Sequence, residues 1–235
     1  MYKADKALAK QLFPGIRGIL DWVDRHQDPA TSLPGNMPYS DSLALAPLTY
    51  QYLYALRQAA SIAGYCGRQA DSALWSRTAD KLREMMYQQC YDPGRGLYAE
   101  TPEKKTFSRY TNALAVLAEA VPPRQVKNVM QRLLNEPPLP AGSLREKYYV
   151  FKAMQATGVT EGFPAALHAL DTMLKRNDAA MYRSDAAIAN IFLLGITAGI
   201  QSASYGFKTV LIAPEPGLAP HVKAAMAHPD GGVME

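Results

Sequence analysis

Histidine and cysteine are scarce in this chain, at four and two among 235 residues. His26, His168, His221 and His228 lie far apart, without the spacing of metal-ligand pairs, so no metal centre is expected. The sequence has no glycine-rich phosphate loop, no Gly-x-Ser-x-Gly elbow and no Cys-x-x-Cys pair. Nucleotide chemistry, serine-esterase chemistry and dithiol redox chemistry therefore lack their usual carriers, and no cofactor is expected. Charge of one sign is missing too. The net charge is +4, and no five or six basic residues run together, which argues against a nucleic-acid groove. Long apolar runs are also absent. The longest, around Ile188 to Ile200, is interrupted by Asn190, Gly195, Thr197 and Gly199. It is shorter than the ~20 residues of a membrane span and reads as a buried helix. The opening residues Met1 to Asp5 hold no apolar signal core, so no membrane partner is expected and a cytoplasmic location is the default.

What is present is an ordinary globular balance, 48% hydrophobic and 20% charged. A chain of this length buries roughly 70–75% of its unfolded surface, enough for one large domain or one with a small appendage. Cys66 and Cys90 sit at the two ends of a predicted helix over 68–90, about 33 Å long. A disulfide needs Cα atoms within ~7 Å, so both thiols are expected free.

The pattern along the chain is helical with punctuation. Residues 5–26 read as two short helices broken at Pro14, with Leu20, Trp22 and Val23 on the apolar face. Residues 27–47 hold five prolines and glycines and read as a long loop. A helix is predicted over 49–64, stopped by Gly64 and Gly67. The next carries Trp75, Ala79, Leu82 and Met86 on one face. Asp92-Pro93-Gly94-Arg95-Gly96 is a turn, with a short extended piece at Leu97 to Ala99. Ser108 is placed to cap a helix carrying Leu114, Leu117 and Val121, ended by Pro122-Pro123. Pro123 opens the next helix, with Val126, Val129, Met130 and Leu133. Helices are expected near 144–157, 161–176 and 184–199, then a strand over 206–212. The fold class is therefore all-α, helical hairpins of about 45 residues followed by a small β piece. A toroid of hairpins and an open solenoid both fit the pattern.

Particular segments are similar to one family. Tyr54-Ala55-Leu56-Arg57-Gln58-Ala59-Ala60, Phe107 to Ala115 and Tyr149 to Met154 resemble successive helices of family 78 glycoside hydrolases, the α-L-rhamnosidases. Arg183-Ser184-Asp185 resembles the start of an Arg-Ser-Asp-Cys-His-Ala-Trp run. Gly206 to Val210, Ile212-Ala213-Pro214 and His228-Pro229-Asp230-Gly231 resemble the strand and turn after the barrel. The resemblance implies the later part of a six-hairpin (α/α) toroid, a partial barrel over residues 1–200. Residues 201–235 would open a C-terminal β-sandwich domain. It implies further that both chain ends are interior to a longer protein.

The resemblance also implies inverting hydrolysis of terminal α-L-rhamnosides, without a cofactor. Inversion needs a carboxylic acid and a carboxylate base about 6.5–9.5 Å apart. The family's acid lies ahead of the first hairpin matched here. Its base is a glutamate just before the Arg-Ser-Asp run. The corresponding interval, Lys175 to Tyr182, holds no glutamate, and its only acid, Asp178, reads as a turn residue. The Cys, His and Trp of the run are Ala186, Ala187 and Ala189. No catalytic residue is therefore assigned, and the chain alone is expected to be inactive. Asp41, Asn112, Arg183 and Asp185 are the candidate substrate-binding residues. Asp41 also reads as a solvated loop residue, Asn112 as a surface or helix-internal polar contact, and Arg183 with Asp185 as a structural pair or helix cap. The expected partner is an L-rhamnose-containing carbohydrate, with a homodimer through an exposed apolar face. A non-catalytic carbohydrate-binding module and an α-helical interaction scaffold are the alternatives.

Overall fold

The computed structural model describes residues 5–27, 45–135, 144–165, 168, 192–214 and 221–234. The chain divides into two compact units, Lys6–Gly142 and Met1–Asp5 with Ser143–Glu235.

The first unit is built from helices α1 (Lys6–Arg25), α2 (Leu45–Cys66), α3 (Gln69–Cys90), α4 (Arg109–Leu117) and α5 (Pro123–Asn135). A hairpin of β1 (Tyr91–Asp92) and β2 (Leu97–Tyr98) joins α3 to α4. The predicted stripe of Trp75, Ala79, Leu82 and Met86 is buried on α3, and Leu53, Leu56 and Ala63 are buried on α2. These two helices form the main core pair. Gly67, at φ +83°, ends α2. Its N–H donates to Gly64 O at 3.0 Å, and Arg68 N–H reaches Ala63 O at 2.8 Å. That pair of bonds satisfies the last carbonyls of the helix. Cys66 and Cys90 are free and buried.

Three sequence expectations in this unit are corrected. Pro14 does not break the first helix: α1 runs unbroken from Lys6 to Arg25. Ala9, Phe13 and Leu20 form one buried face through the proline, which sits on the exposed side. There water can satisfy the carbonyl that the missing N–H leaves open. The loop expected up to residue 47 ends earlier, because α2 begins at Leu45. Finally, α4 ends at Leu117, ahead of Pro122-Pro123. Glu119 takes φ +56° there. Its N–H bonds Val116 O at 3.0 Å and Ala120 N–H bonds Ala115 O at 2.9 Å. This is the same closing geometry as at Gly67, with a glutamate in the left-handed position.

Three contacts fasten α1. The Arg17 guanidinium meets Asp71 at 3.0 Å, and Arg68 meets the same carboxylate at 2.7 Å. Phe13 packs on Trp75 with ring centroids 5.5 Å apart. Tyr52 O–H donates to Asp24.

The second unit holds α6 (Leu144–Thr157), closed by Gly158 at φ +69°. Phe151 lies against Phe163 and Phe192, at 5.4 and 5.7 Å between centroids. The helix expected over 161–176 lies mostly outside the described residues. The one expected over 184–199 reaches the described part as a π-helical turn, Leu193–Thr197. Strand β3 (Ile200–Ser202) follows and pairs antiparallel with β4 (Val210–Ile212), Gln201 opposite Leu211. The strand expected over 206–212 is thus halved. Gly206 and Phe207 both take positive φ in a short 3-10 turn, which the alternation of residue types does not reveal. Strands β5 (Met226–Ala227) and β6 (Val233–Met234) pair across the His228-Pro229-Asp230-Gly231 turn. Asp230 N–H donates to His228 Nδ1 at 3.1 Å, so Nε2 carries the proton and donates to Phe207 O at 3.2 Å. Among the described residues no helix is long and apolar enough to cross a membrane.

Candidate functional site

Of the four candidate binding residues, Asn112 is described; Asp41, Arg183 and Asp185 lie outside the described residues, as does Asp178. Asn112 sits in the first turn of α4. Ser108 starts that helix: its Oγ accepts the Thr111 N–H at 3.1 Å, satisfying a helix-end donor. The cap fixes the direction in which α4 leaves the hairpin and aims Asn112 at β2.

The Asn112 side chain is fully buried. Its Oδ1 accepts the Tyr98 N–H at 2.8 Å, while Nδ2 donates to Tyr98 O and to Ser108 O, both at 3.0 Å. Both amide hydrogens are engaged. The two backbone partners on Tyr98 fix which way round the amide lies. The Asn112 amide thus meets backbone groups of β2 and of its own helix start. Sequence reasoning singled out the asparagine and missed Tyr98, because spacing alone does not show which strand a helix faces.

An aromatic group surrounds this clamp. The Tyr98 ring stands 5.9 Å from Tyr50 at a near right angle, and 5.1 Å from Tyr91. Tyr87 stacks on Tyr91 at 4.9 Å. Tyr50 and Tyr98 are fully buried, and Tyr52, Trp75 and Phe151 are buried as well. These five rings are core, with no open face for a sugar, while Tyr87 and Tyr91 are half-buried. Burial, with smaller contributions from Cys90 and Tyr98, holds the Tyr50 phenol well above its ordinary range. The Cys90 thiol is pushed up to about 11, chiefly by burial, with Lys104 opposing and Glu103 adding to the rise. A thiol so placed stays protonated near neutrality and is a poor nucleophile. The cluster therefore organises the hairpin and carries no acid–base pair. Among the described residues no group of three or more His, Cys, Asp or Glu side chains is placed to hold a metal.

No protein-family model matches the chain, and no curated protein matches it in sequence. Solved structures do match. The chain superposes on a family 78 rhamnosidase of Bacillus sp. GL1 with a TM-score of 0.78 and 18% identity. The match covers 99% of this chain and 28% of that one. An α-L-rhamnosidase from Dictyoglumus thermophilum gives a TM-score of 0.71 at 15% identity, covering 92% and 28%. A rhamnosidase from Klebsiella oxytoca, solved with rhamnose bound, gives 0.62 at 19%, covering 74% and 35%. The chain thus spans about a third or less of the solved structures it matches. Three rhamnosidases from three sources superpose on most of one helical chain, and what they share with it is a fold: this protein has the architecture of a part of the family 78 rhamnosidases.

Proposed function

We propose that the chain is scaffold of an α-L-rhamnosidase-type glycoside hydrolase, which binds an L-rhamnose-containing carbohydrate and does not hydrolyse it alone. The observation that carries this reading is the superposition of 99% of the chain on a rhamnosidase at a TM-score of 0.78. On this reading residues 1–200 belong to a six-hairpin (α/α) toroid and residues 201–235 open a β domain. Asp41, Arg183 and Asp185 are the sugar contacts on this reading, and Asn112 belongs to the scaffold.

The inactivity follows from chemistry. Inverting hydrolysis needs one carboxyl group to protonate the leaving oxygen and another to activate water, about 6.5–9.5 Å apart. No glutamate lies in Lys175 to Tyr182. Alanines at 186, 187 and 189 offer neither a hydrogen bond nor an aromatic wall to the sugar. The missing glutamate favours a second reading, a carbohydrate-binding module that kept the scaffold without the reaction.

Two measurements on the purified chain test the proposal. Release of nitrophenol from 4-nitrophenyl α-L-rhamnoside is expected to stay at the uncatalysed rate. Calorimetric titration with L-rhamnose is expected to show saturable heat, reduced by Asp41→Ala and by Asp185→Ala. A clear rhamnosidase rate abolished by Asp178→Asn would overturn the inactivity. No sugar heat at all would leave an α-helical interaction scaffold.

A further inference from the structure

We draw no further inference here: the strongest candidate, the exposed, acid-free face of α5 that carries Arg124, Lys127 and Arg132, is a patch of surface cations that by itself names no partner, and nothing in the structure shows what meets it.

Discussion

At the scale of single residues, Asn112 is committed to the interior. It makes three hydrogen bonds within the protein, two of them to one residue of β2. A buried donor or acceptor left without a partner costs far more than an ordinary hydrogen bond contributes. Asn112→Ala would strand the N–H and the C=O of Tyr98 together. Destabilisation of about 2–4 kcal/mol is expected from urea unfolding. The chain's affinity for sugar, measured well below the unfolding midpoint, should not change. A variant as stable as the parent would show that the clamp is replaceable.

At the scale of elements, α1 is the informative case. Pro14 signals a break, and the periodicity of Ala9, Phe13 and Leu20 signals continuity; in the folded chain the periodicity wins. The local cost remains. Pro14→Ala should restore a hydrogen bond to Lys10 O and raise stability by about 1–3 kcal/mol, read from the same unfolding curves. Elements whose signals are chemical and local were legible in the sequence: the α3 stripe, the Ser108 cap, Pro123 at the start of α5 and the turn after Asp92. Elements set by tertiary demand were not. Glu119 takes a left-handed conformation usually signalled by glycine, so α4 stops where its sequence reads on. Ile200 to Ser202, just past the helix expected over 184–199, become a strand because β4 offers them a partner. Of the candidate site, the sequence pointed to Asn112 and gave no sign of its partner, since a facing peptide group leaves no mark on residue type.

At the scale of the whole molecule, the buried phenols and thiol make stability sensitive to alkali. Burial raises Tyr50, Tyr52 and Tyr98, with Asp24 adding to the rise at Tyr52, and burial lifts Cys90 to about 11. Each raised group binds its proton more tightly folded than unfolded. Their contribution is therefore complete below the unfolded pKa, near 9 for the thiol, and fades as the pH climbs towards the folded value. Stability should fall steadily from about pH 9 to pH 11, and Cys90→Ala should flatten the first part of that decline. A level profile would mean that these groups open to water without unfolding. The clamp on β2 has one more consequence. A two-stranded hairpin has two outer edges, and a bare edge invites a strand from another molecule. At Tyr98 the outward amide and carbonyl already face a side-chain amide that imitates a neighbouring peptide bond. The hairpin thus meets a counterfeit strand of one residue, and fibril-like stacking finds no vacant rung there.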